Sequence, residues 1–263
     1  KYLSLYEALD VEVPIMACLP LILAPDGKKK LGKRDGAKSV QEYRKDGILP
    51  ETMLNFLASM GWNDGTEQEI FSREELIAKF SLDRVQRSGA RFDEQRLLWM
   101  NGQWIRRLSV DNLYDRSQDF WPESTNNIAP EAKKQVLALV QDRLKTLTDI
   151  KTLTSYFFEE PTPDIAMIND NKQLCKFSHS ELATMLKISK EALLSSEFDA
   201  VSIQETLNGL LEKTGQKPGV IFSLIRLAVS WAPFSPALND TLATLGKEKT
   251  VARLQTAIDI CNI

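Results

Sequence analysis

Leu21-Ile22-Leu23-Ala24-Pro25-Asp26-Gly27-Lys28-Lys29-Lys30-Leu31-Gly32-Lys33-Arg34-Asp35-Gly36-Ala37 is the stretch on which the reading of this chain turns. Four apolar residues, Leu21 to Ala24, suit a short buried strand, and Pro25-Asp26-Gly27 presets the turn that ends it. Beyond Ser39 the apolar spacing becomes helical and stays so almost throughout, so a mainly α chain with a short β-hairpin near its start is expected. The segment after the turn carries five cations and two glycines, a composition able to clamp a phosphate chain: lysines supply mobile charge and glycines let the backbone approach oxygens. It is not a P-loop, because the G-x-x-x-x-G-K-[ST] spacing is missing.

Helix signals follow downstream. Ser72 to Glu75 reads as a capping box with Phe71 and Leu76 as its hydrophobic staple, and Ser178 to Glu181 and Ser202 to Glu205 repeat the signature. Pro130 opens a helix whose Val136, Val140, Leu144 and Leu147 form one stripe, widened by Leu137. Asn101-Gly102 is expected to break the helical run between Arg96 and Leu108. Ile221, Leu224, Ile225 and Ala228 share helical spacing, as do Leu238, Leu242 and Leu245, with Ser235 as cap, Pro236 in the first turn and Gly246 closing the helix. Trp62, Trp99 and Trp104 lie in apolar stretches and are assigned to the core, whereas Trp121 and Trp231 are near loops and more open. His179, one residue after its cap, is a surface residue at a helix start.

The 263 residues, at roughly 150 per domain, suit two or three units. The polar stretch Trp121 to Asn127 is a boundary, and Ser195-Ser196 a second hinge. With 43% apolar and 26% charged residues the composition is that of a globular protein, which excludes a disordered or fibrous chain. The uncharged stretch Val13 to Pro25 is 13 residues long and broken by Pro14 and Pro20, short of the ~20 a membrane helix needs, so no membrane role is expected. Cys18, Cys175 and Cys261 lack C-x-x-C spacing, which excludes a disulfide framework and a zinc knuckle and points to a reducing, cytoplasmic setting. A single histidine leaves no cluster for a metal, so none is assigned. The start at Lys1-Tyr2, without Met or a signal pattern, reads as a piece cut from a longer chain.

The net charge of −3 is unevenly spread: Gly27 to Gly47 carries eight bases against three acids, and Arg84 to Arg107 six arginines against two acids. Such patches can hold phosphate; a solvated face is the alternative reading.

The ordered blocks Pro20-Leu21-Ile22-Leu23, Lys30 to Ala37, Tyr43-Arg44, Gly47-Ile48-Leu49-Pro50-Glu51, Leu54 to Leu57, Gly61-Trp62, Ser88-Gly89-Ala90, Phe92-Asp93 and Leu97 to Asn101 resemble the bacterial-type glutamyl-tRNA synthetases around their "KMSKS" signature loop. The resemblance is dense from Leu5 to about Leu108 and thinner beyond. It implies a remnant of a class I catalytic domain over 1–40, a helical stem-contact domain over 41–121 and a helical anticodon-binding domain over 122–263, with a sub-boundary near 196. Lys30 and Lys33 match the two loop lysines, with Lys33 toward the ATP phosphates, and Arg34 matches the usual "KR" ending. Gly32 stands where the family commonly has Ser. Arg226, in Leu224-Ile225-Arg226-Leu227-Ala228, and the turn Ser235-Pro236-Ala237-Leu238 match groups that contact anticodon bases. Arg143 matches the arginine at the third anticodon base, and is equally read as an exposed helix cation. Ser230-Trp231-Ala232-Pro233-Phe234 departs from the family's small-residue loop.

The resemblance further implies a glutamate-tRNA ligase that uses ATP, Mg²⁺ and glutamate on tRNA(Glu), with tRNA(Gln) left open as a second partner, acting as a monomer in the cytoplasm. No His-x-Gly-His motif occurs, so this chain alone is expected to be inactive. The other reading is a non-catalytic helical adaptor that binds RNA or protein.

Overall fold

The computed structural model describes residues 2–32, 34, 36–232 and 235–262. The chain forms two compact units, Lys1–Tyr43 with Pro50–Met100, and Arg44–Leu49 with Asn101–Ile263. In chain order the regular elements up to the second division are α1 (Tyr2–Ala8), β1 (Ile22–Leu23), α2 (Val40–Lys45), α3 (Pro50–Ser59), α4 (Arg73–Lys79), β2 (Ala90–Arg91) and α5 (Glu94–Arg107), whose Met100 ends the first unit.

In the first unit, β1 lies parallel to β2, with Ile22 opposite Ala90 and Leu23 opposite Arg91. The chain after the turn folds back on β1: Leu31 N–H donates to Ile22 O and Ala24 N–H to Lys29 O, both at 2.8 Å. The expected hairpin is therefore present, closed by Gly27 at φ 70°. A small core joins Trp62, Phe71 and Leu76, with the Trp62 and Phe71 rings edge to face at 5.7 Å. The Ser72–Glu75 capping box is complete in both directions. Asn55, fully buried, accepts from Phe71 N–H and donates to Glu69 O, tying the loop before α4 to α3.

The second unit continues with α6 (Val110–Arg116), α7 (Pro130–Val140), α8 (Asp149–Phe158), α9 (Ile165–Asn169), α10 (His179–Leu194), α11 (Ala200–Thr214), α12 (Pro218–Ser230), α13 (Leu238–Leu245) and α14 (Lys247–Cys261). One core gathers Ile105, Leu113, Leu137, Val140, Leu144, Leu147 and Ile150 with Leu49 from the inserted segment; Trp121, where the sequence suggests a boundary, packs against it. A larger core holds α8 to α14 together, with Ile221, Leu224, Ile225 and Ala228 of α12 completely buried. Segment 44–49 is fixed by close backbone approach. Leu147 N–H donates to Gly47 O at 3.1 Å, and a side chain on Gly47, at φ 79°, would stand 2.5 Å from Leu147 N. Glycine is the residue that tolerates both conditions.

Several sequence expectations are corrected. Asn101-Gly102 does not break a helix; α5 runs through it. Asn101 is fully buried, accepts from Leu49 N–H at 2.9 Å and donates to Gly47 O and Lys145 O at 3.1 and 2.7 Å, while Gly102 leaves room for Leu144 O. Tertiary partners thus override the weak helix propensity of both residues. The Ser202 capping box is absent, because α11 starts earlier: the Asp199 carboxylate takes the N–H groups of Val201 and Ser202 and the Ser202 hydroxyl as well. α7 ends at Val140, so Leu144 and Leu147 reach the core from a 3₁₀ turn and the loop after it. α13 begins at Leu238 with Ala237 as its N-cap, so Ser235 caps no helix. Trp99 is 42% exposed and Trp231 only 9%, the reverse of their expected placement.

Candidate nucleic-acid interface

The basic loop is anchored by local geometry. Asp26 Oδ1 accepts from Lys28 N–H at 3.0 Å, and Lys30 forms a bridge to Leu23 before the chain leaves the sheet. Lys28, Lys29, Lys30 and Arg34 are exposed, so their charge faces solvent; Lys33 and Asp35 lie outside the described residues. Ala37 N–H donates to Gly32 O at 3.2 Å, which closes the loop on itself. A hairpin that pins one end and leaves several cations exposed can neutralise a chain of phosphates.

The second arginine-rich stretch is mostly committed to the fold. Arg84 donates to Asp64 O, Arg96 pairs with Glu69 at 3.3 Å, Arg106 donates to Asp142 O at 3.0 Å, and Arg107 lies over the Trp104 ring at 5.4 Å. Its alternative reading as an ordinary structural surface fits four of the six arginines.

In the second unit Arg226 meets Ser235, and Arg143 and Tyr156 lie within electrostatic range of its guanidinium. Arg226 lies in the C-terminal half of α12, just before its last turn, and is half-buried. Its Nε–H donates to Ser235 Oγ at 2.7 Å, across nine residues of sequence. Burial pushes the Arg226 guanidinium below its ordinary value, the charge of Arg143 adds to this, and Tyr156 opposes it. Burial likewise raises the Tyr156 phenol, against the pull of Arg143 and Arg226. The Tyr156 hydroxyl is buried without a hydrogen-bond partner among the described residues. Arg143, on the 3₁₀ turn Gln141–Arg143, is exposed. Two like charges that act on one another are unfavourable in the absence of an anion and become favourable beside one.

The turn after α12 is more closed than its sequence suggests. Ser235, Pro236 and Leu238 are buried, with Leu238 in the core, and Ala237 is the exposed residue of the four. Pro233 and Phe234 lie outside the described residues. Trp231 ends α12 in the left-handed region, at φ 42° and ψ 42°, with its N–H on Leu227 O. Such backbone is uncommon for a side chain of this size, and its burial holds it there. A cleft of about 330 Å³ adjoins it, lined from α8 by Thr152, Ser155 and Tyr156 and from the end of α12 by Ser230 and Trp231.

One residue absent from the sequence reading is central here. Arg253 of α14 is 2% exposed. Its Nη1 donates to Tyr156 O and Val229 O, each at 2.8 Å, its Nη2 to Glu159 O at 2.9 Å, and its Nε to the Glu160 carboxylate at 3.1 Å. Its signal in the sequence is a cation on the buried stripe of α14, between Thr250 and Ala257 at helical spacing.

A helical unit with arginines beside a turn, in one chain with a hairpin that carries a basic loop, is suited to binding a polyanion. The family model for class I tRNA synthetases (E and Q), catalytic domain, matches residues 1–99, and that for the anticodon binding domain matches 112–258. The glutamate–tRNA ligase of Moorella thermoacetica is 36% identical over 265 residues, covering 98% of this chain and 53% of its own. Glutamate–tRNA ligase 1 of Acidithiobacillus ferrooxidans is 35% identical over 266 residues, with 98% and 55% covered. Among solved structures, a glutamate tRNA ligase from Elizabethkingia meningosepticum in complex with its amino acid superposes with a TM-score of 0.80 at 29% identity, covering 98% of this chain and 54% of that one. The chain belongs to the glutamyl-tRNA synthetase family, and it spans about half the length of the curated relatives it matches.

Proposed function

We propose that this chain is the tRNA-binding part of a glutamate-tRNA ligase, and that Arg226, held by Ser235, reads anticodon bases with Arg143 beside it. The observation that carries the reading is the hydrogen bond from Arg226 to Ser235, with the charge of Arg143 acting on the same guanidinium, within the region matched by the anticodon-binding family. Unstacked bases are read by arginine through stacking and base-edge hydrogen bonds, and a guanidinium already oriented by a neighbour loses less freedom on binding. Ser235 and Pro236 shape the turn, Leu238 anchors it in the core, and Ala237 is the residue left to face RNA. On this reading 1–40, 41–121 and 122–263 correspond to the catalytic remnant, the stem-contact region and the anticodon-binding region.

In the longer protein, ATP supplies the activation of glutamate that precedes its attachment to the 3′ end of tRNA(Glu). Lys30, Lys33 and Arg34 are the residues here suited to its phosphates, by charge neutralisation. No group of three or more His, Cys, Asp or Glu among the described residues could hold a metal ion, so Mg²⁺ is assigned no ligand from this chain. No helix of the described residues is long and apolar enough to cross a membrane, and we place the monomeric protein in the cytoplasm.

The test is a gel-shift titration of the chain against two RNAs that differ only in the anticodon, one with the glutamate anticodon and one scrambled. Preferential binding of the first is expected. Equal binding would remove the base-reading assignment, and binding of neither would favour the adaptor.

A further inference from the structure

We infer that Arg253 is a positioning residue for anticodon reading: one buried guanidinium caps the C-terminal ends of α8 and α12 together and so fixes Arg226 relative to Tyr156. The inference rests on the base-reading role proposed above for Arg226. Tyr156 O and Glu159 O belong to the end of α8, and Val229 O to the end of α12. Helix C-termini present unsatisfied carbonyls and partial negative charge, which suit a cation. A further orphan carbonyl of α8 is met from nearby, since Lys249 Nζ donates to Phe157 O at 3.3 Å.

Stability alone is a weak reason for this arrangement. Taking a guanidinium out of water costs several kcal/mol, and packed apolar groups often do as well in its place. What an apolar residue cannot do is hold two helix ends at a fixed separation and rotation through a rigid planar fork. Arg226 lies three residues before Val229, and Tyr156 itself supplies one of the carbonyls, so the fork sets the spacing of the groups that share the site. Glu160, exposed for 70% of its side chain, closes the fork from the solvent side at 3.1 Å.

The experiment uses the full chain and stem-loop RNAs carrying the glutamate anticodon or a scrambled one. Arg253→Lys keeps the charge and loses the fork. It should unfold cooperatively, lose about tenfold in the ratio of affinities for the two RNAs, and keep its salt dependence, because no phosphate contact is removed. In an Arg226→Ala background the same change should have no further effect on the ratio, whereas a general loosening would add to it. Glu160→Gln, a change at an exposed position, should lower the ratio about threefold, and it decides the matter if Arg253→Lys does not fold. The inference is overturned if the ratio survives in folded Arg253→Lys, or in Glu160→Gln where that variant decides, while Arg226→Ala abolishes it. Additive losses overturn it as well. If Arg226→Ala itself leaves the ratio intact, the base-reading role falls and takes this inference with it.

Discussion

Arg226 Nε donates to Ser235 Oγ at 2.7 Å, linking the C-terminal half of α12 to a buried turn that precedes α13. The bond leaves the other nitrogens of the guanidinium for a ligand and points its plane. Arg226→Ala should therefore cost about 1–3 kcal/mol in binding an RNA with the glutamate anticodon and little with a scrambled one. Ser235→Ala keeps the charge and removes only the acceptor, so the same preference should fall by about 1 kcal/mol. A gel-shift titration of both variants checks this, and equal losses on the two RNAs would contradict it.

The basic loop should behave in the opposite manner. Lys28 is exposed, and a contact made by it to a phosphate carries no sequence information. Lys28→Ala is expected to weaken both RNAs alike and to reduce the slope of log affinity against log salt by about one. Titrations at two salt concentrations measure it; a loss confined to one RNA would place Lys28 at bases.

Asn101 should matter far more for stability than an Asn in mid-helix ordinarily does. Asn101→Ala removes the side chain that meets Leu49 N–H and Lys145 O at a buried site, and one of two donors to Gly47 O, which Leu147 N–H also meets. The expected loss is about 3 kcal/mol in urea unfolding, since each orphaned backbone group costs about 1–3 kcal/mol before relaxation. A change below about 0.5 kcal/mol would show that the segment holds without it.

These cases also mark how far sequence reading reached. The caps at Ser72 and Ser178 were legible because a capping box is closed within four residues and depends on little else. Ser39 and Glu42 make the same reciprocal pair at the start of α2. Ser202 misled because Asp199, three residues earlier, carries a carboxylate that accepts two N–H groups at once and starts the helix before it. Asn101-Gly102 misled because its partners lie 44 to 54 residues away. Arg226 and Ser235 were singled out by resemblance and turn out to be bonded across nine residues, whereas Arg253 binds groups 93 to 97 residues distant on α8 and the following loop, which local pattern does not reveal.

Asp64 provides a pH test in the first unit. Its hydrogen bonds from Lys79 and then Thr66 hold the carboxyl at about 2, against 3.8 for an ordinary aspartate. A depressed carboxyl stabilises the fold above its unfolded value, and that contribution is lost as pH falls from about 4 toward 2. Carboxyl NMR titration should find the midpoint near 2, and Lys79→Met should return it toward 3.8. A midpoint at 3.8 with Lys79 intact would show that the 2.7 Å pair to Asp64 is not held in solution.

Segment 44–49 finally bears on how such a protein can be taken apart. The larger unit owns six residues that sit in the sequence before Pro50, and with them the Leu49 side chain and the Gly47 carbonyl that Asn101 and Leu147 bind. A gene cut after Met100 would express a polypeptide missing a piece of its own interior, with polar groups newly bare at the gap. Separability here is a matter of topology: recovering the larger unit as an autonomous module calls for grafting that hexapeptide onto the excised chain through a new connection, and trimming alone will not achieve it.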